Sequence, residues 1–132
     1  MTAKHDLTEQ EFDELKGWWQ DHGQAVPYFE FMPKRSLTIC EGDSTILACW
    51  YYTDKDSSTI IPDWLIGNPM NSITTLLKAV ALLAGEFDKI CKEGGFRVIR
   101  SFTWNPTIAK YAERFGYEFE PKPVYHYGKL IN

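Results

Sequence analysis

At 132 residues, 44% of them apolar and five of them tryptophan, the chain is long enough for one folded domain whose core needs neither disulfides nor a metal to hold it. Its formal net charge of −4, with no basic run, argues against nucleic acid as a partner and leaves small molecules or proteins. No apolar segment approaches the length of a membrane span and no secretory leader pattern opens the sequence, so the expected compartment is the cytoplasm.

In chain order, Thr8-Glu9-Gln10-Glu11 is a capping box, with Leu7 and Phe12 at the flanking staple positions. Phe12, Leu15 and Trp19 continue one helical face, and Gly23 ends it. Residues 24–33 are aromatic and interrupted by two prolines, which predicts an irregular lid or a short edge strand rather than a linker. Residues 36–40 and 45–52 flank a turn at Glu41-Gly42-Asp43-Ser44. If Glu41 pairs with Ser44, alternation puts Leu37 and Ile39 on the same face as Ile46, Ala48 and Trp50. The same register separates Cys40 and Cys49 by about 13 Å along the ladder, too far for a disulfide. With Cys91 the cysteines number three and match no metal spacing, so all are expected to be reduced thiols and no metal site is expected.

Residues 59–67 (TIIPDWLIG) read as a strand buried on both faces, with Pro62 implying a bulge or one-sided pairing. A long helix is predicted from Asn71 to Glu93, capped by Asn71 or Ser72, with Ile73, Leu76, Leu77, Val80, Ala84, Phe87 and Cys91 on one face. Gly94-Gly95 stop it, and residues 96–104 form a second β-branched and aromatic strand. Asn105-Pro106 supply an N-cap and a first-turn proline. Ile108, Tyr111, Ala112 and Phe115 then trace the stripe of a three-turn helix that Gly116 closes. Tyr117-Glu118-Phe119 leaves as a strand, and residues 124–131 form the last one. The predicted class is α/β (α+β), in the order α-β-β-β-α-β-α-β-β: one domain over 1–132, with a mixed central sheet and helices on both faces. Residues 1–34 would supply the first helix and aromatic loop, and residues 35–131 the sheet and two core helices.

This order, together with Asn105 followed eleven and twelve residues later by Gly116 and Tyr117, resembles the GNAT superfamily of acetyl-CoA-dependent N-acyltransferases over residues 35–131. The resemblance implies that the strand at 59–67 splays from a parallel neighbour at 96–103. Acyl-pantetheine would lie in the gap, hydrogen-bonded to the backbone of Trp64, Leu65, Ile66 and Gly67. The pyrophosphate would sit at the start of the following helix, at Asn71, Ser72, Thr74 and Thr75, where free amides and the helix dipole attract anions. Two positions depart from the family pattern. The phosphate loop, Asn68 to Thr75, contains no glycine after Gly67, and Ala112 stands where many members carry a proton-donating tyrosine. Short phage-encoded members of this type share such an eroded motif, and weak acetyl-CoA binding follows from it.

Asp63, an acid inside an apolar strand, reads either as a strand-edge carboxylate paired with a cation or as the general base for an amine acceptor. Asn105 is a helix cap by its position; the resemblance adds contact with the pantetheine arm. The expected function is transfer of an acetyl group from acetyl-CoA to an amine of a small molecule or protein. The alternative is a non-catalytic, phage-encoded GNAT-like protein that binds another protein or forms part of a virion.

Overall fold

The computed structural model describes residues 1–103, 105–118, 128, 129 and 131. They fall into two compact units, Met1–Phe102 and Thr103–Asn132.

The first unit holds a five-stranded sheet in the order β1-β2-β3-β4-β5. The strands are β1 Thr2–His5, β2 Arg35–Glu41, β3 Ser44–Asp54, β4 Thr59–Gly67 and β5 Val98–Ile99, with α1 at Glu9–Asp21 and α2 at Ile73–Gly94. All neighbours are antiparallel except β4 and β5, which are parallel and joined through α2. The expected mixed α+β sheet with a helix on each face is what the chain forms, with one strand more at its start. That strand, TAKH, pairs along β2 from Thr2↔Cys40 to His5↔Leu37. It has a single small apolar residue and none of the β-branched density that marks a strand in sequence.

Local chemistry sets the helices. Thr8 Oγ1 accepts from Glu11 N and the Glu11 carboxylate accepts from Thr8 N, so the capping box is closed in both directions. Ser72 caps α2 by accepting from Thr75 N at 3.2 Å, and Gly95, at φ +72°, takes the left-handed position that ends it. The aromatic segment between α1 and β2 forms a single 3₁₀ turn, Phe29–Phe31, that buries Met32 and leaves Tyr28 and Phe31 exposed.

The β2–β3 register differs from the expected one. Glu41 does pair with Ser44, but Cys40↔Thr45 is followed by Ile39↔Leu47, so Ile46 is an extra residue in β3. One inserted residue reverses every side chain beyond it. Leu37 and Ile39 therefore share a face with Leu47, Cys49 and Tyr51, and this set packs on Ala79, Leu83 and Phe87 of α2. Ala48 and Trp50 turn to the opposite face, where they meet Phe12, Leu15 and Trp19 of α1 with Met32 and Ile66. Trp50 fills that second core, its ring 6.0 Å from Phe12 and 5.9 Å from Trp19. The inner face of α2 is wider than the predicted one: Leu76, Val80, Phe87 and Cys91 pack on the core as expected, Ala79 and Leu83 join them, and Ile73 is exposed. Cys40, Cys49 and Cys91 are all free thiols.

In the second unit, α3 spans Pro106–Ala112 and passes into a 3₁₀ turn at Glu113–Phe115. Asn105 Oδ1 accepts from Thr107 N at 2.9 Å, and Gly116 closes the turn at φ +87°. Tyr117 and Glu118 are not in a strand, and Phe119 and most of the last predicted strand lie outside the described residues, as does Trp104.

Candidate active site

The two halves of β4 are built differently. Thr59 and Ile60 pair with β3 on one side and with Val98 and Ile99 of β5 on the other. Arg100 N donates to Ile60 O at 2.9 Å, which continues the parallel ladder one step. In that ladder the next bond would run from the amide of residue 62 back to Arg100 O, and residue 62 is proline. The ladder stops there. The last contact is the Ser101 hydroxyl donating to Pro62 O at 3.0 Å. From Asp63 to Gly67, β4 is bonded to β3 alone among the described strands, leaving an open edge. This is the one-sided pairing that Pro62 implied; the parallel neighbour expected over 96–103 is present only as Val98–Ile99, because the ladder that would extend it ends at the proline.

A bulge follows at once. Trp50↔Asp63 and Ala48↔Ile66 leave Trp64 and Leu65 opposite Cys49 alone. Trp64 sits at φ +59°, a left-handed conformation that costs a residue with a Cβ about 1–2 kcal/mol. Asp63 holds it there, its Oδ1 accepting from Trp64 N at 2.7 Å. Asp63 is half-buried and shares the α1 face with Trp50. No lysine or arginine of the described residues bridges it, so the expected pairing with a cation is replaced by a bond to its own bulge. Trp64, Leu65 and Tyr52 remain partly exposed, and Trp64 Nε1 donates to Tyr52 Oη at 3.3 Å. The neighbouring Cys49 thiol is fully buried, and desolvation first, then the Asp63 charge, pushes its pKa far up. It is an inert core thiol, not a nucleophile.

The remaining expected residues lie at the end of β4 and the start of α2. Ile66 is buried in the α1-side core, and Gly67 faces the end of Leu76. Gly67 O accepts from His22 Nε2 at 3.0 Å. That contact, formed across 45 residues by the last turn after α1, carries no signal in the sequence. Asn68 ties the connection down: its Oδ1 accepts from Met70 N, its Nδ2 donates to Thr45 O, and its carbonyl accepts from Asn71 N. Of the α2 N-terminal amides, Thr75 N goes to the Ser72 hydroxyl and Leu76 N to Ser72 O, while Ile73 N and Thr74 N have no acceptor among the described residues. Ser72 and Thr75 hydroxyls bond each other at 3.0 Å. Asp63 to Gly67 and Asn71 to Thr75 are thus successive along one strand, turn and helix. Asn105 belongs to the second unit, where it caps α3.

Neither a protein-family model nor a curated protein matches this sequence. Solved structures do. A GNAT-family acetyltransferase from Streptococcus pneumoniae TIGR4 superposes with a TM-score of 0.64 at 10% identity, over 98% of each chain. The chain has the GNAT fold. A transcriptional regulator from Bacillus halodurans C-125 gives 0.70 at 12% identity, covering 96% of this chain and 99% of its own. An acetyltransferase from Trypanosoma brucei gives 0.67 at 9%, covering 95% and 99%. No helix among the described residues is long and apolar enough to cross a membrane, and no group of three potential metal ligands forms among them.

Proposed function

We propose that this protein is an acetyl-CoA-dependent N-acyltransferase whose acceptor is an amine. The observation that carries the reading is the open half of β4: a parallel ladder ended by a proline, then a strand edge that no other described strand pairs with, beside a carboxylate-braced bulge. An amide-bearing chain such as pantetheine can add to that edge as a further strand would, at Trp64, Leu65, Ile66 and Gly67. Beyond it, the free Ile73 and Thr74 amides and the hydroxyls of Ser72 and Thr75 suit a phosphate group, aided by the helix dipole. Acetyl-CoA would supply an activated acyl group. Asp63 takes the proton from the acceptor's ammonium, which cannot attack until it is neutral, and its second oxygen is free of the bulge. Asn105 is included as a pantetheine contact on the family resemblance alone.

A second reading has its own support. The Met70 and Asn71 amides are used within the turn, and the Gly67 carbonyl is taken by His22, so the backbone offers fewer groups to a phosphate than a glycine loop does. A GNAT-fold protein that binds another protein without turnover, of the phage-encoded kind, fits that observation. Calorimetric titration with acetyl-CoA separates the two. Measurable heat with thermal stabilisation supports acyl transfer, because a ligand specific for the folded state must raise its stability. No heat at millimolar ligand supports the binding protein.

A further inference from the structure

The open half of β4 ends at Gly67, and its neighbours set the direction of that residue's backbone. Asn68 N donates to Ile46 O at 2.8 Å, so the Asn68 amide points to β3. Successive residues of a strand alternate in direction, which makes Leu47↔Gly67 a pair without mutual hydrogen bonds. The Gly67 carbonyl therefore points away from β3, to the open edge, where the N–H of an added chain would meet it. That carbonyl is already occupied. His22 Nε2 lies 3.0 Å from Gly67 O, and because a carbonyl can only accept, Nε2 carries the proton. The imidazole N–H stands where the N–H of a neighbouring strand would stand, at the same donor–acceptor distance.

The contact is built into the fold. Helix α1 closes through Gly23 at φ +69°, with Gly23 N donating to Gln20 O and Gln24 N to Trp19 O, which fixes the His22 backbone. Trp19 and Ile66 are buried in one core, and that packing holds the end of α1 against the end of β4. The connection to α2 has its own anchors, because Asn68 bonds both Ile46 O and Thr45 O. His22 is thus not what places that connection. Its bond takes the acceptor at the end of the edge, a group that would otherwise invite a further strand.

We infer that His22 is a displaceable stop on the candidate cofactor edge, an autoinhibitory contact that holds the Gly67 carbonyl in the free protein and yields it when an amide chain adds to β4. The inference rests on the acyl-transfer reading for the identity of that chain, the pantetheine arm of acetyl-CoA. Two donors compete for one outward carbonyl, so every ligand that reaches Gly67 gives up part of its affinity to break the His22 bond. The imidazole is exposed, and its release opens no hole in the core.

The experiment uses the full chain, His22→Ala, which removes the donor, and His22→Gln, whose side-chain amide restores one at similar reach. Calorimetry measures the binding of acetyl-CoA and, separately, of the nucleotide portion of coenzyme A, which lacks the amide chain. His22→Ala should bind acetyl-CoA about fivefold more tightly, the equivalent of about one neutral hydrogen bond, and His22→Gln should return to the parent value. Affinity for the nucleotide portion should be the same in all three proteins. In parallel, NMR of the His22 ring nitrogens should show Nε2 protonated in the free protein and shifted to the position of a solvated imidazole at saturating acetyl-CoA. Equal or weaker binding of acetyl-CoA by His22→Ala, or a His22 signal that acetyl-CoA leaves unmoved, overturns the stop and leaves acyl transfer standing. Loss of affinity for the nucleotide portion in His22→Ala also overturns it, by making His22 a phosphate contact. Binding of acetyl-CoA by His22→Ala alone supports both the stop and acyl transfer. Binding by neither the parent nor the variants ends the acyl-transfer reading and the stop with it.

Discussion

The two halves of β4 are consecutive in sequence and opposite in design. Thr59 and Ile60 are flanked by strands on both sides, and Ile60 is wholly buried. Asp63 to Gly67 keeps one neighbour among the described strands, carries a bulge, holds a tryptophan in a left-handed conformation and exposes two large side chains. The division falls at a residue that cannot donate a backbone hydrogen bond. One missing N–H is enough to end the parallel pairing of a core strand: it removes the bond that would have zipped the parallel pair further.

The sharpest way to break this contrast is at Asp63. If the open half exists for chemistry, Asp63→Asn should lower turnover with an amine by about 10²–10⁴-fold, and the residual rate should climb more steeply with pH as hydroxide replaces the lost base. Its effect on stability should be small, because the asparagine oxygen can still accept from Trp64 N. A variant that loses stability while retaining its rate would make Asp63 only a brace for the bulge.

Core truncation should separate the halves next. Ile60→Ala removes a fully buried side chain and should cost about 2–5 kcal/mol in denaturant unfolding, whereas Leu65→Ala, at 39% exposure, should stay within about 0.5 kcal/mol. Equal costs would mean that the second half is packed as tightly as the first. Pro62→Ala tests the dividing residue directly. By restoring a donor opposite Arg100 O it should add about 1 kcal/mol of sheet stability and weaken acetyl-CoA binding about fivefold, because the gap must then be reopened. Unchanged affinity would remove Pro62 from the account.

The smallest effect is expected far from β4. The Glu11 carboxyl is held below its ordinary value of 4.5, first by the bond from Lys4 and then by the Thr8 amide. A carboxylate with a depressed folded-state pKa stabilises above its unfolded value and loses that contribution as pH falls through the folded one. Melting temperatures of the parent and Glu11→Gln should therefore differ near neutrality and begin to converge as pH falls below 4.5, closing only once it has passed the lower folded-state value. Glu11→Gln should leave amine turnover unchanged, since Glu11 lies on α1 outside the open half of β4.

Much of this architecture was legible because it is local. The capping box of Thr8 and Glu11, the Ser72 and Asn105 caps and the stop at Gly95 each depend on residues within one or two turns. Pro62 announced one-sided pairing for the same reason. What escaped is set by distant partners. Strand β1 forms because β2 offers it an edge, not because TAKH prefers to be extended. The bulge at Ile46 is invisible in an evenly apolar run, and it sent Ala48 and Trp50 to the face opposite the one that simple alternation assigns. The left-handed Trp64 is the most consequential omission. No propensity favours tryptophan there, and only the Asp63 carboxylate, the Tyr52 hydroxyl and the register with β3 together explain it. The His22 contact to Gly67 is of the same kind.

The central claim is that acetyl-CoA adds to the open half of β4 and reaches the start of α2. Backbone amide shifts followed by NMR during an acetyl-CoA titration test it most directly. Shifts should concentrate at Asp63 to Gly67 and Ile73 to Thr75, while Thr59 and Ile60, already flanked by strands on both sides, stay still. Saturable shifts elsewhere with the Asp63–Gly67 amides unmoved, or no shifts at all at millimolar ligand, would contradict it.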